Sequence, residues 1–113
     1  MLIIDTIVSL AELKHMAEAG FGNMVKAVVD VEREIMAVDG ELHSDEEALL
    51  LEGGSRQEFL WGINIYPDLD GPDWIEFDSL INIRPSQSNR SRGVDDPAVR
   101  EKILQVVGKR VRS

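Results

Sequence analysis

The sequence predicts an α+β domain: a mostly antiparallel or mixed sheet of about five strands with three helices, in the order β-α-β-β-α-β-β-α. Three observations carry that reading. Two segments, "SLAE" and "SDEE", pair a serine with a glutamate three residues on, the pattern of a helix start. Two runs of alternating apolar and polar residues flank a loop rich in Pro, Asp and Gly. A last helical stripe follows Asp95-Asp96-Pro97. Strands that come in hairpin-like pairs favour an antiparallel or mixed sheet, with the helices largely on one face.

In chain order, Leu2–Val8 is rich in Ile and Val and reads as a short strand. Ser9 then caps a helix whose apolar face is Leu10, Leu13, Met16 and Ala17, and the glycines of Ala19–Gly22 end it. Residues Asn23–Gly40 fit either a helix or strands. Valine content and the alternation of Val25, Ala27, Val29 and Val31 favour a hairpin turning near Arg33-Glu34, although the turn lacks Asn-Gly. Ser44, with Glu47, reads as the cap of a second helix stopped by Gly53-Gly54. Asp45, Glu46 and Glu47 then sit where the helix dipole favours anions.

The next hairpin places Phe59, Trp61, Ile63 and Ile65 on one face, and Ile75, Phe77, Ile81 and Ile83 across the Pro67–Asp73 loop. The final helix buries Val99, Ile103, Val106 and Val107. Lys109, Arg110 and Arg112 follow at its C-terminal end.

The 113 residues suffice for one domain, and 43% hydrophobic with 29% charged residues marks it as folded. With no cysteine there is no disulfide framework, zinc-thiolate site or thiol nucleophile. No apolar run approaches the ~20 residues that span a bilayer. The opening "MLIIDTIVSLAELKHM" carries Asp5 within its apolar run and no basic leader, so it does not read as a signal peptide. A cytoplasmic protein is expected.

The net charge is −9, unevenly distributed. Residues 1–83 hold four Lys/Arg against eighteen Asp/Glu, and residues 84–113 hold eight against three. Such asymmetry marks either a segment that meets an anionic partner or a basic tail that folds back on an acidic body.

The stretches "GELHSDEEALLLEGGSRQEFLWGINIYP" and "WIEFDSLINIRPSQSNRSRGV" resemble a family of small bacterial proteins known as a domain of unknown function. The resemblance runs from about Leu10 to the last helix. It implies a bacterial cytosolic setting and brings no reaction, cofactor or residue role.

Three constellations can carry chemistry. The first is the loop Arg84–Gly93, where Arg84, Ser86, Asn89, Arg90, Ser91 and Arg92 are donors suited to phosphate or carboxylate. It matches neither a phosphate-binding Walker loop nor a dinucleotide fingerprint, and Asp95-Asp96 would repel an anion from the next helix. The structural alternative is a polar connection whose arginines pair with the acidic body. Nucleic acid is disfavoured, because the rest of the chain is acidic and aromatics are few.

The second is the polar hairpin face of Asn64, Tyr66, Glu76, Asp78, Asn82 and Arg84, either a solvated face or carboxylates beside an arginine in a cleft. The third is Glu41, His43 and Asp45, which could bind a divalent metal but are better explained as helix entry. There is no nucleophile elbow and no His/Cys pair.

The expectation is a small binding or accessory domain engaging an anionic small molecule or a protein partner through the loop and the polar face. The alternative is a small enzyme using Glu76 or Asp78 as acid or base, with arginines holding the substrate anion. An uncovered sheet face or edge would also allow self-association.

Overall fold

A computed structural model describes all 113 residues. Its elements are β1 (Leu2–Ile4), β2 (Val8–Ser9), α1 (Leu10–Ala19), β3 (Val25–Asp30), β4 (Ile35–Val38), α2 (His43–Glu52), β5 (Leu60–Ile65), β6 (Ile75–Glu76), α3 (Pro97–Arg110) and β7 (Val111–Arg112). Five strands form one antiparallel sheet in the order β1-β4-β3-β5-β6. β2 and β7 form a separate parallel pair, Val8 against Val111. The class is α+β, as the sequence predicts. No helix is long and apolar enough to cross a membrane.

The helices lie on both faces of the sheet, not largely on one. Leu13 and Ala17 of α1 and Ile103, Val106 and Val107 of α3 share a core with Val25, Ala27, Val29, Met36, Val38, Trp61, Ile63 and Ile65. On the opposite face Leu50 of α2 packs with Val28, Ile35, Ala37 and Leu60. The reason is local. Ala27-Val28-Val29 of β3 and Ile35–Val38 of β4 are apolar at every successive position, and all of these residues are buried. A strand that is apolar on both faces must be covered twice.

The first predicted strand divides. Leu2–Ile4 pairs with β4, the chain bends at Asp5-Thr6, and Val8-Ser9 leaves to meet β7. Ser9 caps α1 as expected, its Oγ accepting from Glu12 N at 3.0 Å. The β3–β4 hairpin turns where the sequence places it, without Asn-Gly. Instead Asp30 Oδ1 accepts from the backbone N–H groups of Glu32 and Arg33, each at 2.9 Å, and Glu34 takes the left-handed conformation (φ 58°).

α2 begins one residue before the predicted serine cap. Leu42 occupies the cap position, and no side chain caps the helix. Glu46 points inward and is fully buried, with Oε2 accepting from Gly40 N at 2.9 Å and Oε1 without a partner. Burial pushes its carboxyl up to about 9, so it is an interior acid and not a partner of the helix dipole. α3 follows the sequence closely: Asp96 Oδ1 accepts from Ala98 N at 2.8 Å, Pro97 opens the first turn, and Ile103, Val106 and Val107 are buried.

Candidate functional site

The second strand of the central hairpin stops at Glu76, far short of the predicted alternation through Ile83. Side chains take its place along the outer edge of β5. Asn64 is paired with Glu76 of β6. Two residues back, the Asn82 amide acts as a peptide unit: its Oδ1 accepts from Gly62 N (2.8 Å) and its Nδ2 donates to Gly62 O (2.9 Å). Two further back, the Arg84 guanidinium donates to Leu60 O, and also to Gln57 O, while lying 4.1 Å from the Trp61 ring centroid. Gly62 is required here, because a Cβ would come within 2.5 Å of Ser79 Cβ. Ile83 is consequently exposed instead of facing the core, and Phe77 and Ile81 pack against different clusters.

The loop that follows is held in the same way. Asn89 is buried, donates to Asn82 O (2.7 Å) and Gly93 O (2.9 Å), and accepts from Asp95 N (2.8 Å). Ser91 Oγ donates to Asp95 Oδ1 at 2.6 Å. The basic C-terminal part also folds back: Lys109 pairs with Glu34 at 2.7 Å, and Arg110 donates to the carbonyls of Glu34 and Thr6.

Beside this edge, on the face covered by α2, lies a cleft of about 600 Å³. Strand register sets its floor. Lys26 of β3 is directly opposite Asn64 of β5, and Asn64 is directly opposite Glu76 of β6. Cation, amide and carboxylate therefore form one row, with neighbouring Cβ atoms about 5 Å apart. Asn64 Nδ2 donates to Glu76 Oε1 at 2.8 Å, and Tyr66 OH donates to the same oxygen at 3.1 Å. Burial, and then Glu76 itself, hold the Tyr66 phenol above its ordinary value, so it keeps its proton. Asn64 Oδ1 is buried and has no hydrogen-bond partner, and the residue is only 6% exposed.

His43, the first residue of α2, reaches the cleft from above. Its Nε2 lies 2.8 Å from Ile63 O, and a carbonyl can only accept, so Nε2 carries the proton. Burial chiefly holds the imidazole below its ordinary value. Lys26 reinforces that shift, while the Ile63 carbonyl, Asp78 and Asn64 oppose it. The neutral ring leaves Nδ1 as an acceptor. Arg92 closes the rim through a 2.7 Å ion pair with Asp78.

Of the ten residues singled out from the sequence, Asn64, Glu76, Asp78 and Arg92 line this cleft. Arg84, Asn82 and Asn89 are bonded to backbone, and Ser91 to Asp95. Ser86 and Arg90 are exposed on the loop, outside the cleft lining. Lys26 and His43 join the site without having been assigned to it. Lys26 was one polar position in an alternating strand, and only the β3–β5 register brings it to Asn64. Glu41 and Asp45 are exposed while His43 turns in to Ile63, and no three His, Asp or Glu side chains are grouped so as to hold a metal ion.

No curated protein and no solved structure matches the chain. A family model described as "Protein of unknown function (DUF5674)" matches residues 2–110, and the chain belongs to that family.

Proposed function

We propose that the chain is a small-ligand-binding domain whose cleft takes a polar molecule bearing an anionic group. One observation carries the reading: the Lys26–Asn64–Glu76 row lines the cleft, and its cation is in no ion pair. A few polar groups converging in a cleft are the usual means of orienting a small ligand. Lys26 has no carboxylate within ion-pair distance, since the four ion pairs of the protein all use other cations. The loop contributes through Arg92 at the rim. A cysteine-free sequence suits the reducing cytoplasm, where we place the domain.

The test is an amide chemical-shift titration of the whole chain with phosphate and with acetate, at two salt concentrations. Saturable shifts at Lys26, His43, Asn64 and Glu76 that survive the higher salt are expected. Shifts confined to Ser86–Arg90, or none at all, would remove the cleft from consideration. A second reading, a proton-transfer enzyme, draws support from the Tyr66–Glu76 hydrogen bond beside a neutral His43. It requires that a bound molecule be converted, which the same spectra would record over time.

A further inference from the structure

A groove of about 420 Å³ runs between α3 and the chain around β6. Pro72, Trp74, Phe77, Leu104 and Gly108 are among its lining residues, and no charged side chain lines it. Leu104 is 40% exposed, a large apolar group at the rim. Gly108, one turn further along α3, leaves a gap: no neighbouring group lies within 4 Å of where a Cβ would stand. Its φ is not in the left-handed region that calls for glycine. Glycine is among the residues least favourable to a helix interior, so the monomer alone gives no reason for it. A missing side chain on a helix surface does let another element approach closely.

Charge frames the gap. Glu101, Leu104 and Gly108 follow one another at spacings of three and four, so they share one helix face. Arg112 extends the stripe, because its Nη1 donates to Gly108 O at 2.8 Å. Glu101 and Arg112 are exposed and belong to none of the four ion pairs. The stripe therefore runs from an unpaired carboxylate, through a knob and a gap, to an unpaired guanidinium.

We infer that this stripe of α3 is the contact surface of a symmetric dimer, its partner a second copy of this chain. A two-fold axis between Leu104 and Gly108 sets the two α3 helices antiparallel. Each Leu104 then fills the gap over the partner's Gly108, and each Glu101 meets the partner's Arg112. One surface supplies both the knob and the gap, as an isologous contact requires. An unrelated apolar segment would fill the groove without answering the two opposite charges, whereas an antiparallel copy answers both. α3 covers the sheet face opposite α2, so the dimer leaves the cleft beside α2 open, and the inference stands apart from the ligand proposed for it.

The test is sedimentation equilibrium of the full chain, carried up to about 1 mM because a contact this small is weak. Monomer and dimer in exchange are expected. Gly108→Gln and Leu104→Gln should each weaken the dimer by about tenfold or more. Both positions are exposed, so circular dichroism melts should show the fold retained. Glu101→Arg and Arg112→Glu each set like charges against one another across the axis, and each alone should weaken the dimer. The two together exchange the ends of the stripe and should return the affinity to near that of the parent, a rescue that contact with an unrelated surface would not produce. A chain that stays monomeric throughout, a dimer indifferent to Gly108→Gln, or a double exchange no tighter than the single variants overturns the inference.

Discussion

The Arg84–Gly93 loop and the Lys26–Asn64–Glu76 row contain the same kinds of side chain, and the fold uses them in opposite ways. In the loop, Arg84, Asn89 and Ser91 are bonded to carbonyls or to Asp95. In the row, one cation has no carboxylate partner and one buried amide oxygen has no partner at all. Residue type alone does not make a binding site. Donors clustered near irregular backbone are claimed by that backbone, whereas side chains on regular strands find the nearby backbone groups already paired and bond to one another, as Asn64 and Tyr66 do to Glu76.

The contrast breaks most sharply at the edge of β5. Gly62→Ala drives a Cβ into Ser79, and Asn82→Ala leaves the N–H and C=O of a buried residue unpaired. Each is expected to cost about 3 kcal/mol or more in urea unfolding. A small loss for Asn82→Ala would show that the amide is not replacing a strand.

Glu46 gives the next largest effect. Its carboxyl is raised to about 9 by burial, so the folded state holds the proton more tightly than the unfolded chain. Its contribution is therefore fully present below the ordinary carboxylate range and is lost as pH climbs toward about 9. Glu46→Gln should flatten the fall in stability between about pH 5 and pH 8 by on the order of 3 kcal/mol. Parallel pH profiles in the two proteins would mean that the carboxyl titrates normally.

The arginines give the smallest effects and the finest discrimination. Arg84→Ala should cost about 2 kcal/mol, through lost bonds to the Leu60 and Gln57 carbonyls and lost contact with Trp61. Arg90→Ala with Arg92→Ala should together cost less than about 1 kcal/mol, since only the exposed Asp78 pair is broken. Equal losses from the two sets would erase the distinction between bonded and exposed arginines.

What the sequence made legible was local. Ser9 and Asp96 could be read as caps because cap chemistry acts within three residues. The reading of Ser44 failed because a buried acid, Glu46, reaches back to Gly40 and sets where α2 starts. The alternation of Ile75, Phe77, Ile81 and Ile83 misled because it ignored Asn82, whose amide competes with strand pairing. Asn64, Tyr66, Glu76 and Asp78 of the cleft were visible as the polar face of one hairpin, and Arg92 as part of the loop. The placing of Lys26 and His43 depends on the β3–β5 register and on a helix crossing the sheet, and neither has a signature in sequence spacing.

The Asn82 and Arg84 contacts have one more consequence, for how the chain behaves among its own copies. An open strand edge is a template on which another chain can add a strand, and repeated addition builds fibres. On the outer side of β5 that template is filled residue by residue: Glu76 opposite Asn64, an amide on Gly62, a guanidinium on Leu60. At Gly62 and Leu60 the edge is closed by side chains that cannot themselves be extended, so no further strand can add to β5 beyond the two residues of β6.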